Sequence, residues 1–325
     1  MKLGKIVMTG TPRPEADKWI RERCGVQSWN ESGSMPREVL FEWLKDAEGL
    51  MSVGTQPVKV DEELLSHAPK LRVISQSSVG YDNIDVAACT ARGIPFGNTP
   101  GVLTEATADL AFLLLLCAAR RIKESCLIVQ QGQWTPTVEI PMGVDLYGKT
   151  LGLVGMGQIG SAVARRAQAC GMNIIYHNRR RRMPEEEQGA IYVGFPELLV
   201  QADFILVLIP LSDESRGMFN RQAFSKMKKT AFFINAARGA IVETDALYEA
   251  LMDGMISGCA LDVTDPEPIQ PDHPLVSLPN VFITPHIGSA TEETRDRMAM
   301  LAAENLILGL EKKPLKTCVN PTVNY

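Results

Sequence analysis

The stretch LVGMGQIGSAVARRAQACGMNIIYHNRRRR, Leu153 to Arg182, decides the reading of this chain. An apolar strand pattern, TLGLVG, runs into Gly155-x-Gly157-x-x-Gly160, then a helical pattern through Ala169, then a second strand pattern, NIIYHN. In that context the glycines form a dinucleotide fingerprint. Gly155 permits a tight turn, Gly157 lets backbone N–H groups approach a pyrophosphate, and Gly160 allows close helix packing, with the anion at the helix N-terminus. Gln158 and Ile159 lie inside the same loop. Eighteen residues beyond Gly160 stands Asn178, where an acid ordinarily holds the ribose hydroxyls of NAD. It is followed by Arg179, Arg180, Arg181 and Arg182. An acid there would repel a 2′-phosphate, whereas guanidinium groups bind phosphate through charge-assisted bonds of about 1.5–3 kcal/mol each. The expected cofactor is therefore NADPH in preference to NADH, with one or two of these four arginines on the phosphate and Arg179 and Arg180 counted among the cofactor-binding residues. The remaining arginines read as a solvated face balanced by Glu185, Glu186 and Glu187, and His177 as a strand-end residue near the adenine.

Outward from this stretch, β-rich runs alternate with helical patterns. KIVMTG, GLMSVG, RVISQSSVG and IPFGNTP precede it, and DFILVLIP, AFFINAA, GCALDV and VFITP follow. The alternation predicts an α/β chain with two doubly wound parallel sheets, a Rossmann cofactor domain and a flavodoxin-like substrate domain. Between the two series lies TEATADLAFLLLLCAARRIKE, whose nearly all-round apolar character predicts one helix, buried in a core, between domains or in a subunit interface. A last helix, TEETRDRMAMLAAENLILGLE, is capped by Thr291 and is expected to return to the first domain. The expected boundaries are 1–99 plus 290–325 for the substrate domain and 100–289 for the cofactor domain. A cleft between two such domains suggests closure that excludes water.

The 325 residues carry a formal charge of -5, which argues against general affinity for nucleic acid or an anionic membrane. The longest apolar run, Leu110 to Ala119, is too short to span a bilayer, so a cytoplasmic protein is expected. Seven cysteines lack a C-x-x-C pair and four histidines lack ligand spacing, so neither a disulfide framework nor a metal is expected.

Three later stretches, FFINAARGAIVETDAL, ALDVTDPEPI and ITPHIGSATEET, each end a predicted strand, so Arg238, Glu267 and His286 can converge beyond the carboxyl ends of one sheet. With the glycine fingerprint, NAARG, LDV with its following EP, PHIGSAT and, earlier, SVGYDNID, the whole chain resembles the D-isomer-specific 2-hydroxyacid dehydrogenases. The resemblance implies that a 2-oxo acid is reduced: Arg238 anchors its carboxylate, His286 protonates the developing alkoxide, and Glu267 holds the imidazolium. It further implies backbone groups of Val79 and Gly80 on the substrate carboxylate, Ser289 lining the pocket, and Asp262 on the nicotinamide carboxamide. Thr107, Pro210, Ala236, Ala237, Arg238, His286 and Gly288 complete the implied cofactor set.

Within the family, SVGYDN, the NTP-VLTE-TAD region and PHIGSATEETR resemble bacterial glyoxylate/hydroxypyruvate reductases and 2-ketogluconate reductases, and a homodimer through Leu110 to Arg121 is implied. One departure is the loop VEIPMGVDLYG, without the Trp those reductases commonly carry before TLGLVG, so Pro141 and Met142 can leave a roomier pocket. D-3-phosphoglycerate dehydrogenases fit less well, since they use the ribose acid, and formate dehydrogenases carry Gln where Glu267 stands. Two alternatives stand beside the reductase: a dehydrogenase of another D-2-hydroxy acid, and a nucleotide-sensing interaction module on the same fold.

Overall fold

The computed structural model describes residues 2–54 and 58–323. The chain divides into two compact units, 1–103 with 289–325, and 104–288. The division falls at Leu103/Thr104 and Gly288/Ser289, against 99/100 and 289/290 expected from the sequence. Leu103 is still buried, and the chain changes unit where the helix Thr104–Ala119 begins.

Among its described residues the first unit carries five parallel strands, β1 (Lys5–Met8), β2 (Gly25–Ser28), β3 (Gly49–Ser52), β4 (Val73–Gln76) and β5 (Phe96–Gly97), in the order β2-β1-β3-β4-β5. This is the flavodoxin-like order. The C-terminal helix Glu292–Leu310 packs on this sheet, burying Ala299, Ala302, Ala303, Leu306 and Leu310 against Ile6, Met8 and Val73. Thr291 caps it, its hydroxyl accepting from the Thr294 N–H. Strand β2 has no counterpart among the expected strands, because GVQS is an edge strand whose four residues are all half-buried and carry no apolar alternation.

The second unit carries seven parallel strands: β6 (Thr150–Val154), β7 (Asn173–His177), β8 (Ile191–Tyr192), β9 (Phe204–Val207), β10 (Phe232–Asn235), β11 (Gly258–Leu261) and β12 (Val281–Ile283). Their order is β12-β11-β10-β9-β6-β7-β8, so the direction of winding reverses between β6 and β9. That is the switch point at which doubly wound sheets bind ligands, beyond the carboxyl ends of the strands.

The apolar stretch after residue 103 forms two helices. Arg121, at φ +50°, breaks the chain between Thr104–Ala119 and Ile122–Gln130. Leu110, Ala111, Leu114, Leu115 and Ala118 are buried against Leu151, Leu153, Leu206 and Ile234, which makes the first helix part of its own unit's core. The stretch Leu110 to Arg121 therefore turns mostly inward, since these side chains are covered by the sheet of their own chain. The large apolar side chains left exposed here are Leu113 and, further on, Ile122, Val129, Trp134, Ile140, Met142 and Tyr147.

Candidate active site

The loop after β6 explains each of its glycines separately. Gly155 sits at φ +103°, and a Cβ there would lie 2.8 Å from the Leu208 carbonyl carbon; at Gly160 it would lie 2.3 Å from the Gly155 oxygen. Both are required by contacts within the chain. A Cβ on Gly157 would meet nothing within 4 Å. Its bareness serves no intramolecular contact, which is the observation that fits a dinucleotide approaching the backbone here. Gly157 also caps the helix Gln158–Ala169 with no side-chain hydrogen bond, leaving the first N–H groups and the positive end of the dipole for an anion. Gln158 and Ile159 form its first turn, with the Gln158 Oε1 accepting from Thr104 at 3.5 Å.

Asn178 is turned back onto the loop. Its Oδ1 accepts from the Met156 N–H at 2.7 Å and its Nδ2 donates to the Met156 carbonyl at 3.4 Å. The four arginines after it separate by employment. Arg179 is 79% exposed, with a 3.7 Å pair to Glu214, and Arg180 is exposed. Arg181 donates to Glu187 at 2.8 Å, and Arg182 donates to the Met156 carbonyl at 2.7 Å. Hydrogen bonds from Arg181 and from the Tyr176 hydroxyl pull the Glu187 carboxyl down to about 2. His177 lies against Tyr192, ring centroids 6.1 Å apart, with its Nδ1 3.1 Å from the Val193 oxygen.

Beyond β10, Asn235 is buried and shapes the next turn: its Oδ1 accepts from the Ala237 N–H at 3.0 Å and its Nδ2 donates to the Arg238 carbonyl at 2.9 Å. Ala236, Ala237 and Arg238 are half-buried on the same edge, and Pro210 is exposed after β9. Gly239 then passes so close to the β11 loop that a Cβ would stand 1.9 Å from the Thr264 oxygen. This approach brings the Arg238 loop and the Glu267 loop together.

Glu267 Oε1 lies 2.7 Å from His286 Nδ1, and both side chains are 31% exposed. Burial pushes the Glu267 carboxyl up. The hydrogen bond and charge of His286, the Thr264 amide and the charge of Arg238 outweigh it, so the net shift is downward. His286 occupies the left-handed region at φ +54°, a conformation that a non-glycine residue holds only when its surroundings enforce it. The enforcement comes from Asp262, which is 3% exposed. Its carboxylate accepts from the Thr284 hydroxyl at 2.7 Å, the Ile287 N–H at 2.8 Å and the Gly288 N–H at 2.9 Å, and its carbonyl accepts from the His286 N–H at 2.9 Å. Burial holds the Asp262 carboxyl above its ordinary value despite these donors. A Cβ on Gly288 would press on Asp262 at 3.2 Å and on Thr107 at 3.3 Å, so Thr107, Asp262 and Gly288 form one wall.

In the first unit, the segment after β4 is anchored through its carbonyls. Gln76 Nε2 and the Ser78 hydroxyl donate to the Gly80 carbonyl at 2.8 and 2.7 Å, and Asn98 Nδ2 donates to the Val79 carbonyl at 2.9 Å. Among the described residues neither the Val79 nor the Gly80 N–H has a partner, which leaves two donors for an anion. Ser289 is half-buried, its carbonyl accepting from the Thr291 N–H at 3.0 Å. Asn235, Gly239 and Thr284 escaped the sequence reading. Asn235 and Gly239 stand within the quoted NAARG stretch or beside it, but their use depends on contacts that spacing does not encode.

Residues 112–288 match the family model described as the D-isomer specific 2-hydroxyacid dehydrogenase, NAD binding domain. Among similar proteins are the glyoxylate reductases of Korarchaeum cryptofilum, 47% identical over 89% of this chain and 87% of that protein, and of Aeropyrum pernix, 45% identical over 99% and 98%. A similar solved structure is the NADPH-dependent glyoxylate/hydroxypyruvate reductase of Sinorhizobium meliloti, determined in complex with NADP and malonate. It is 31% identical, covers 99% of this chain and 98% of that one, and superposes with a TM-score of 0.89. With the fingerprint loop and the Glu267–His286 pair on one sheet edge, and with relatives this similar over nearly the full length, the chain belongs to the D-isomer-specific 2-hydroxyacid dehydrogenases, NAD(P)-dependent oxidoreductases acting on a CH–OH group.

Proposed function

We propose that the protein is an NADPH-preferring reductase of small 2-oxo acids, with glyoxylate and hydroxypyruvate as the first substrates to test and 2-ketogluconate as the larger one. The observation that carries this reading is the Glu267–His286 pair at 2.7 Å beside the strained His286 turn, in a chain similar to glyoxylate reductases throughout. When bound, a reduced nicotinamide supplies hydride to the carbonyl carbon. His286 supplies the proton: Glu267 occupies Nδ1, leaving Nε2 as the atom that protonates the alkoxide. Glu267 fixes the ring orientation through that hydrogen bond. Arg238 is assigned to the substrate carboxylate through its planar fork, and Val79, Gly80 and Ser289 of the first unit are assigned to substrate binding. Thr107, Asp262 and Gly288 are assigned to the nicotinamide side, and Gly155 to Gly160 to the pyrophosphate.

The preference for NADPH rests on the absence of an acid at Asn178 and on the exposure of Arg179 and Arg180. A homodimer is part of the reading, and its support is the exposed apolar set Leu113, Ile122, Val129, Ile140 and Met142. Scattered thiols support a cytoplasmic setting. Initial rates of NADPH and NADH oxidation against glyoxylate, hydroxypyruvate and 2-ketogluconate test the proposal. Turnover with NADPH well above NADH supports it, equal rates refute the cofactor preference, and NADPH binding without turnover of any of the three refutes the substrate assignment.

A further inference from the structure

We propose that Arg182 is a positioning residue of the pyrophosphate-binding loop, acting through the Met156 carbonyl on both nicotinamide dinucleotides alike, and that it is not a ligand of a 2′-phosphate. The inference rests on the dinucleotide site and is independent of any preference between the two cofactors. Met156 lies between Gly155 and Gly157 and is fully buried. Side chains from the segment after β7 hold both of its backbone polar groups: the N–H donates to Asn178 Oδ1 at 2.7 Å, and the carbonyl accepts from Arg182 Nη1 at 2.7 Å.

The consequence follows from the planarity of the peptide. The Met156 carbonyl and the Gly157 N–H belong to one trans peptide unit and point in opposite directions. Fixing the carbonyl on Arg182 therefore aims the Gly157 N–H away from Arg182, beside the position where a Cβ would meet nothing within 4 Å. Asn178 fixes the preceding peptide in the same manner. The loop is thus set before an anion arrives, which lowers the ordering cost of binding. A pyrophosphate is common to NADH and NADPH, so the brace serves both.

Arg182 is itself held in place. Its N–H donates to the hydroxyl of the fully buried Tyr176 at 3.1 Å, its Nη2 pairs with Glu186 at 3.4 Å, and its Nε is shut off from solvent. The side chain is 22% exposed where that of Arg179 is 79%. Its Nη1 is taken by the Met156 carbonyl and its Nη2 by Glu186, which leaves an approaching phosphate to Arg179 and Arg180.

The test uses the intact protein and measures dissociation constants of NADPH and NADH by fluorescence titration, with steady-state rates beside them. Arg182→Met should weaken both dinucleotides by the same factor, about tenfold for the loss of one charge-assisted bond, with kcat at saturating cofactor within about twofold. Arg182→Lys should recover part of the loss for both. Arg181→Met, which removes only the Glu187 pair, should lower the melting temperature and leave both constants in place. Should the Met variant not fold, Arg182→Gln is read by the same two constants. A loss confined to NADPH would make Arg182 a phosphate ligand, and unchanged constants for both would remove the brace; either overturns the proposal. Failure of the wild-type protein to bind either dinucleotide would overturn it together with the cofactor reading.

Discussion

Gly239→Ala tests whether the site depends on the close approach of two loops. A Cβ at this position would stand 1.9 Å from the Thr264 oxygen, 2.0 Å from its carbonyl carbon and 2.6 Å from the Asp265 nitrogen. These are backbone atoms, so no rotamer change relieves the clash. Restoring an ordinary contact of 3.4 Å requires the segments to part by roughly 1.5 Å. Arg238 is the adjacent residue on one segment. On the other, the Thr264 N–H donates to Glu267 at 3.4 Å, and Glu267 in turn holds His286. A shift of about 1 Å in a catalytic constellation costs on the order of 10²-fold in rate. Overpacking a rigid contact costs about 1–3 kcal/mol of stability, a fall of several degrees in Tm. The expected result is kcat/KM for glyoxylate reduction lowered about 10²-fold, a modest drop in Tm by calorimetry, and a dissociation constant for NADPH changed far less than the rate. Activity within about twofold of wild type would refute the reasoning that this approach positions Arg238 and Glu267.

Other substitutions address other parts of the site. Gly157→Ala adds a methyl where the chain itself has room; Tm should hold while both dinucleotides bind at least about tenfold more weakly, and a large fall in Tm with binding intact would reverse that assignment. Arg179→Ala combined with Arg180→Ala should weaken NADPH far more than NADH, and titrations showing equal losses would assign the pair to the general surface. Glu267 gives a pH test. Its folded-state value is below its ordinary value of 4.5, so its contribution to stability is present above that value and is lost as pH falls through the lowered one. Tm of the wild type should therefore decline on acidification below about pH 5 more steeply than that of Glu267→Gln, and parallel curves would contradict the shift.

Much of this molecule is legible in local pattern. Alternating strand and helix segments follow from hydrophobic period, and the loop Gly155 to Gly160 from the spacing of its glycines between a strand and a helix, of which Gly155 alone holds a positive φ. The stretches holding Arg238, Glu267 and His286 could be grouped because each follows a strand of one parallel sheet, whose carboxyl ends all face one side, while the choice of these three residues came from the family resemblance. The pattern fell short where local signal was thin. Strand β2 and the two-residue strand β8 are sheet edges with little apolar alternation, and the break at Arg121 is hidden within one apolar run.

Tertiary structure alone decided what the charged and polar groups do. Four consecutive arginines are equivalent in the sequence, yet Arg181 is taken by Glu187, Arg182 by a carbonyl 26 positions earlier, and Arg179 and Arg180 are left to solvent. Asn178 reads as the absence of an acid, and the fold turns it into a brace for Met156. Asp262 reads as a cofactor residue, and the fold gives its carboxylate three donors from the His286 turn. The physical reason is common to all of these. Period and glycine conformation are set by neighbours along the chain, whereas a hydrogen bond or a close backbone approach requires atoms that only the packing of distant segments brings within 3 Å.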